Sequence, residues 1–306
     1  MRVLVTGSEG FLGSRLCRTF DHAGVDVTHW DLKLHLDLLD PAGLRYALSA
    51  CDAVVHLAAN ADVRGGWADP TRDLQSNVVA TSHLLEAMRA CQVKRFVFAS
   101  SAAVYGNAQK EWEKTNSRSV RGGSKHPRQW LPTRETWHAQ QTSLYGASKI
   151  AAEALIGAYV EAGHLSATIF RFVSLLGPGY SHGHVADFVA SLRKDPNHLS
   201  ILGDGQTPRS YLDVDDACSA ILTGLVDPDP GWEVLNAGTD HTMTALESAA
   251  VICEELKIRP PAVTFTGESW RGDHPILLDC TQLRNRGWEP RYTIREALAR
   301  TVEGLK

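Results

Sequence analysis

No stretch of this chain approaches the ~20 consecutive apolar residues of a membrane-spanning helix, so no such span is expected. Cysteine is sparse and scattered: Cys17, Cys51, Cys91, Cys218, Cys253 and Cys280 contain no C-x-x-C spacing. That argues against a disulfide framework or a zinc site and for buried thiols in a reducing compartment. Positive charge is not in excess, and a net charge of -4 makes no case for general nucleic-acid binding. No charged and apolar leader precedes the first strand pattern, so no signal peptide is expected and the cytoplasm is the expected location. What remains is ordinary soluble composition, 43% hydrophobic and 22% charged over 306 residues. That length suits one large domain, or one domain with a smaller lobe.

The first informative stretch is a short β-branched run, Arg2 to Thr6, that stops at a glycine. Gly7, Gly10 and Gly13 follow at Gly-x-x-Gly-x-x-Gly spacing, opening into the amphipathic segment Ser14 to Ala23. Strand, glycine turn and helix give the triplet meaning. Gly7 permits the tight turn, Gly10 lets backbone approach a pyrophosphate, and Gly13 lets helix pack on strand. The helix N-terminus offers free N–H groups and a positive dipole end to phosphates. The next strand, Val25 to Trp30, ends at Asp31, near the ~20-residue spacing of the acid that holds an adenosine ribose. A carboxylate there accepts from both ribose hydroxyls and repels a 2′-phosphate, which favours NAD over NADP. Lys33, a cation able to receive a phosphate, weakens that preference. Asp37 sits where a third strand is expected to approach, and either meets the adenine edge or serves as an N-cap or turn residue.

Ala53 to Ala59 is an apolar strand running into small residues, which leave room for a cofactor across the sheet edge. A helix from about Asp73 to Ala90 carries Asn77 and Thr81 on one face, and the strand from Lys94 to Ala99 delivers Ser100 and Ser101. Tyr145 and Lys149 lie four apart at the head of a helix-like run and so share a face. A free tyrosine ionises near ~10; a fixed cation and a positive nicotinamide ring both favour its phenolate, which would make Tyr145 a proton acceptor. With the strand Ala167 to Phe172, the alternating order predicts an α/β fold with a Rossmann-like, doubly wound parallel sheet.

Taken together, these motifs resemble the extended short-chain dehydrogenase/reductases of the nucleotide-sugar epimerase/dehydratase family, most of all their UDP-glucose 4-epimerase-like members. The resemblance rests on Thr6-Gly7-x-x-Gly10-x-x-Gly13, Asp31, His56-Leu57-Ala58-Ala59, Asn77-x-x-x-Thr81, Ser100 to Gly106 and Tyr145-x-x-x-Lys149. It continues through Arg171-Phe172, Gly177-Pro178-Gly179, Gly203 to Gln206 with Arg209, Val214-Asp215-Asp216, Asn236-Ala237-Gly238, Gly272-Asp273 and Gly287-Trp288. It implies an NAD-binding domain over 1–173, with an insert at 107–143. Residues 174–306 would form mainly a smaller C-terminal α/β lobe for the nucleotide sugar, with some segments returning to the main sheet. The implied catalytic set is Tyr145, Lys149 and Ser101. Implied NAD contacts come from Gly7, Gly10, Phe11, Leu12, Gly13, Asp31, Asp37, Leu38, Leu57, Ala58, Ala59, Asn77, Ser100, Tyr145, Lys149 and Phe172. Implied substrate contacts come from Ser101, Tyr145, Ser174, Arg209, Arg271 and Asp273, with Arg209 toward the diphosphate. No metal is expected, and a homodimer through the Asp73–Ala90 and Tyr145–Ala162 helices is implied.

The two residues after Ser101 narrow the chemistry. Family dehydratases carry an acidic pair there, and this chain has Ala102 and Ala103, which cannot protonate a leaving hydroxyl. The expectation is an internal redox cycle, most simply at C4 of a UDP-hexose: Tyr145 takes the C4-hydroxyl proton, NAD takes the hydride, the 4-keto sugar turns over, and the hydride returns to the other face. Other readings are a UDP-hexuronic acid (UDP-glucuronate) 4-epimerase, another nucleotide-sugar epimerase or a 4-keto sugar reductase; a reductase would favour NADPH, against Asp31. A non-catalytic NAD-sensing regulator is the alternative of a different class, and the intact Tyr145, Lys149 and Ser101 argue against it. Three departures from the family pattern stand out. The insert between Asn107 and Ser143 is rich in Lys and Arg and bears Trp112, Trp130 and Trp137; it is either a solvated basic loop or a lid on an acidic sugar. Ser174 replaces an asparagine. His182 and His184, too few for a metal, are expected at a loop or substrate rim.

Overall fold

The computed structural model describes residues 1–63, 65–108, 132–137, 140–226, 231–267 and 274–305. Most of the insert therefore lies outside the described residues, as do Arg271 and Asp273. Six strands, β1 (Arg2–Thr6), β2 (Asp26–Trp30), β3 (Ala53–His56), β4 (Arg95–Ser101), β5 (Ser166–Phe172) and a late strand, Trp232–Ala237, form one parallel sheet. Their order is β2-β1-β3-β4-β5 with the late strand beside β5. After β2 the chain crosses back over β1 to β3. Such a reversal opens a crevice at the carboxyl ends of the strands, where ligands of these folds sit. Asp37 itself lies outside the strands. Residues there make a 3₁₀ turn, Leu32–Leu34, and a local turn in which Asp37 Oδ1 accepts from the Leu39 N–H at 2.9 Å.

Alternating side chains divide each strand between two cores. Val3 and Val5 face α1 (Phe11–His22), where Leu16 and Phe20 are fully buried, while Leu4 faces the opposite layer. That opposite layer contains α2 (Pro41–Leu48), a helical stretch over residues 70–91, and α5 (Leu144–Glu161). The stretch comprises α3 (Pro70–Asp73), a π-helical segment Leu74–Val79 and α4 (Ala80–Cys91). Leu84, Leu85, Met88 and Ile156 fill this layer. Each fully buried side chain of that size contributes roughly 1.5–3 kcal/mol. Sequence signals set the helix starts: Asp40 caps α2 ahead of Pro41, and Ser143 caps α5 by accepting from the Gly146 N–H at 3.0 Å.

Beyond β5, β6 (Ser174–Leu176) pairs with β8 (Tyr211–Asp213), and β7 (His198–Ile201) pairs with β10 (Ala262–Phe265). The late strand of the main sheet is thus β9 in chain order. Helices α6 (His184–Lys194), α8 (Ala245–Leu256) and α10 (Ile294–Gly304) enclose a third core around Phe188, Leu199, Ile252 and Leu298. Capping boxes Thr244–Glu247 and Thr293–Glu296 start two of these helices. Between α8 and α10 lies the short α9 (Thr281–Asn285). Helix α7 (Val214–Val226) packs instead under the main sheet beside α1, where Arg15 forms an ion pair with Asp215. All six cysteines are free thiols.

Candidate active site

The turn after β1 is built by exclusion of side chains. Gly7 has φ +69°, and a Cβ on it would meet the Ala58 nitrogen at 2.7 Å. A Cβ on Gly13 would meet the Gly7 carbonyl oxygen at 2.0 Å, so α1 starts flush against the turn. Its N-cap, Gly10, provides no side-chain cap, which leaves the first N–H groups of α1 directed at the crevice. Ser8 beside it is fully buried with no hydrogen-bond partner for its hydroxyl.

A cavity of about 1060 Å³ runs from this turn across the carboxyl ends of the strands. Gly7, Gly10, Phe11, Leu12, Gly13, Asp31, Asp37, Leu38, Leu57, Ala58, Ala59, Ser100, Tyr145, Lys149 and Phe172 all line it. Ser101, Ser174 and Arg209 line it as well. Asp31 accepts from the Glu9 N–H at 3.0 Å and the Lys33 N–H at 2.8 Å, and the Lys33 ammonium reaches the Glu9 carbonyl at 2.8 Å. The carboxylate is therefore pinned at the end of β2. The volume, the side-chain-free turn, the open helix end and the pinned acid fit a dinucleotide.

Asn77 is not brought to the cavity. It is buried, accepts from the Asn60 N–H at 2.8 Å and donates to Ser148 Oγ at 2.8 Å. It ties the loop after β3 to α5. Several lining residues were not singled out from the sequence: Asn60, Asp62, Gln75, Thr142, Tyr180 and His274. Asn60 directly follows the small residues ending β3, a signal that was available. Tyr180 meets Phe11 edge to face, with ring centroids 5.8 Å apart, and stacks on His182 at 6.3 Å. Of the two histidines noted there, His182 lines the cavity, and His184 turns away to Phe188 and Tyr211. Among the described residues no cluster suited to a metal ion occurs.

Tyr145 and Ser101 both line the cavity, and Ser101 Oγ accepts from the Ala103 N–H at 3.2 Å. Burial pushes the phenol up to about 12; the Ser101 hydroxyl opposes the rise and Asp73 adds to it. Lys149 is buried, donates to the Ala99 carbonyl at 2.8 Å and lies over the Phe98 ring at 4.6 Å. Burial pushes its ammonium down to about 8, against an upward pull from Glu153. The protein's own groups thus move the phenol up and not down, because burial disfavours the phenolate and Asp73 adds to it, while the downward pull among them comes from Ser101. Ala102 and Ala103 also line the cavity, and its carboxylates Asp31, Asp37 and Asp62 belong to the loops after β2 and β3.

A family model described as the NAD dependent epimerase/dehydratase family matches residues 3–238. The dTDP-L-rhamnose 4-epimerase of Burkholderia thailandensis is 25% identical over 341 residues, covering 97% of this chain and 93% of the relative. Among solved structures, MoeE5 in complex with UDP-glucuronic acid and NAD superimposes with a TM-score of 0.85 at 29% identity, covering 99% of this chain and 98% of the other. A UDP-galactose 4-epimerase superimposes with a TM-score of 0.82 at 30% identity, covering 100% of this chain and 98% of the other.

Proposed function

The chain belongs to the NAD-dependent epimerase/dehydratase family, and from that premise we propose that it is an NAD-dependent epimerase of a nucleotide-diphosphate sugar, inverting C4 of a UDP-hexose through a 4-keto intermediate. The observation that carries this reading is that Tyr145, Ser101 and Lys149 line one cavity, with two alanines directly after Ser101. That arrangement moves a proton on and off a sugar hydroxyl and has no acid for eliminating water. NAD, when bound, supplies a reversible two-electron oxidation and is regenerated each cycle. Tyr145 accepts the hydroxyl proton during oxidation and returns it during reduction. Ser101 orients that hydroxyl and bonds the oxygen as it becomes a carbonyl. Lys149, held by Ala99, offers a fixed positive charge at the same strand end. Asp31 is proposed to hold the adenosine ribose. Arg209 is proposed to receive the diphosphate, with Ser174 near the sugar and Arg271 and Asp273 completing the substrate site.

A second reading, a UDP-hexuronic acid as substrate, has its own support. The described lining includes Arg209, His182 and His274, groups that suit an extra negative charge. MoeE5, 29% identical, was captured with UDP-glucuronic acid. Incubation of the purified protein with a panel of UDP- and dTDP-sugars, read by NMR, tests both. The expected result is a 4-epimer formed without consumption of added coenzyme. Net oxidation or reduction, or loss of water, would refute the reading.

Among the described residues no helix is long and apolar enough to cross a membrane. A cytoplasmic homodimer is part of the proposal, formed through the helical stretch at 70–91 and α5. Leu74 is 51% exposed on the first, and Ala154 and Ala158 are exposed on the second. Sedimentation as a monomer at micromolar concentration would remove the dimer from the proposal.

A further inference from the structure

Tyr145, Lys149 and Glu153 stand one turn apart along one face of α5. The last two grip consecutive residues at the end of β4, while Tyr145 lines the cavity with Ser101. The Lys149 ammonium donates to the Ala99 carbonyl at 2.8 Å, and Glu153 Oε1 accepts from Ser100 Oγ at 2.5 Å. Glu153 is 2% exposed and is met by the guanidinium fork of Arg171, at 2.6 and 3.0 Å. Arg171 lies opposite Ser100 in the β4–β5 ladder and opposite Asn236 in the β5–β9 ladder. Its remaining nitrogen donates to the Tyr105 hydroxyl at 3.0 Å and to the Glu135 carbonyl at 2.8 Å.

We infer that Glu153 is a positioning residue for the proposed reaction: through Arg171 and Ser100 it fixes the end of β4, and it supplies the counter-charge that keeps Lys149 a cation one turn below Tyr145. The inference rests on the epimerase reading of the site. Around Lys149, α5 contributes Tyr145 and Glu153, and β3 contributes His56, a neutral imidazole whose buried ring feels the Lys149 charge. The β4 side offers the Phe98 ring and no charge. Asp73, on the helix packed against α5, acts on Tyr145, and Glu153 is the carboxylate that acts on Lys149. A surface role for Glu153 does not explain a carboxylate buried on the face that carries the catalytic pair.

The test follows Lys149 directly, by NMR of the NAD-bound protein carrying 13C-ε lysine, with Lys149→Arg identifying the signal. Glu153→Gln is expected to move the Lys149 titration down by about one pH unit. The alkaline limb of turnover should move with it at unchanged KM. Glutamine leaves Arg171 buried without its partner, so the paired change Glu153→Met with Arg171→Met provides a fold without an orphaned charge. The titration should stay lowered there too. An unchanged Lys149 titration in Glu153→Gln overturns the inference. So does a lowered titration that returns to the wild-type value in the double variant, since the uncompensated Arg171 would then be the cause. If no sugar is turned over, the epimerase reading fails, while the Lys149 titration still decides whether Glu153 controls its charge.

Discussion

Ser100 and Ser101 are neighbours at the end of β4 whose hydroxyls are engaged differently: Ser100 Oγ is bonded to buried Glu153 at 2.5 Å, and Ser101 Oγ, at the cavity with Tyr145, accepts from the Ala103 N–H at 3.2 Å. Strand alternation makes this split unavoidable. It predicts that the two alanine variants differ in kind. Ser101→Ala should lower kcat by roughly 10²-fold, the usual loss of one oriented donor, with stability within about 0.5 kcal/mol of wild type. Ser100→Ala should cost about 1–2 kcal/mol of stability by leaving a buried carboxylate less satisfied. Steady-state kinetics and urea unfolding of both variants check this; equal kinetic losses would dissolve the distinction.

Lys149 is predicted to oppose stability while serving function. Its folded-state value is lowered to about 8 by burial, against an ordinary value near ~10.4. Between those values the unfolded chain holds a proton that the folded chain releases, so this group's contribution to stability rises with pH across that window. Below about 8 the buried charge is a standing cost. Lys149→Met should therefore raise stability at pH 7 by about 1 kcal/mol or more, while lowering turnover by at least ~10²-fold. A variant less stable than wild type at pH 7 would show that the Ala99 bond and the Phe98 contact outweigh desolvation.

The choice of nicotinamide cofactor is predicted to rest on Asp31. Its carboxylate is held by two backbone N–H groups, with Lys33 tied across to Glu9. Asp31→Ser should remove the repulsion of a 2′-phosphate and leave Lys33 free to receive it. The ratio of affinities for NAD and NADP should fall by at least ~10-fold, about 1.4 kcal/mol. Calorimetric titration with both cofactors decides it. A ratio unchanged by the substitution would place the selectivity elsewhere, with Asp37 the next residue to replace.

The fold was legible where one short run carries the whole signal. The Arg2–Thr6 strand, the glycine turn and the Ala53–Ala59 strand ending in small residues located the crevice because each acts through its own backbone. The roles of Asn77 and Glu153 were not legible, for two physical reasons. Asn77 does share a face with Thr81, whose hydroxyl donates to the Asn77 carbonyl at 2.6 Å, but the segment is π-helical and that face turns inward to Ser148. Counting at helical spacing finds a shared face and not its direction. Glu153 reads as a solvated charge because its partner Arg171 belongs to the next strand, and ion pairs across elements leave no local pattern. The same limit hid the direction of the Tyr145 shift, since spacing reveals a neighbouring cation and not the desolvation that opposes it.

The turn after β1 should tolerate no side chain at Gly13. A Cβ there lies 2.0 Å from the Gly7 carbonyl oxygen and 2.8 Å from its carbon, both backbone atoms that cannot swing aside. Gly13→Ala must push α1 away from β1, moving the N–H groups of Phe11 and Leu12 off the crevice and straining the bond from the Gly10 N–H to the Gly7 carbonyl. The expected outcome is loss of bound NAD on gel filtration and destabilisation by about 1–3 kcal/mol, the range for overpacking a close-packed site. Retention of NAD at wild-type stability would mean that the turn is looser than its geometry indicates.

His56 is predicted to set part of the acid limit of the fold. It is fully buried, with Nδ1 2.6 Å from Thr6 Oγ1 and Nε2 2.9 Å from Thr81 Oγ1. Thr81 already donates its proton to the Asn77 carbonyl, so it accepts from Nε2–H. Thr6 Oγ1 accepts from the N–H groups of Leu57 and Ala58, both at 3.2 Å, and so donates to Nδ1. The ring is thereby held as the neutral Nε2–H tautomer, and a second proton on Nδ1 would face an oxygen whose acceptor sites are filled. Burial, with the Lys149 charge adding to it, pushes the imidazole down to about 3. In the unfolded chain it takes a proton near ~6.5. As pH falls below that value the unfolded state gains protons that the folded state refuses, and stability is lost progressively until about 3. The full loss is about 5 kcal/mol. His56→Gln retains one donor and one acceptor without the titration, so its unfolding free energy should fall less steeply between pH 6.5 and 4. Urea unfolding across that interval measures the two slopes. Parallel curves for wild type and variant would show that other groups, and not His56, govern the acid transition.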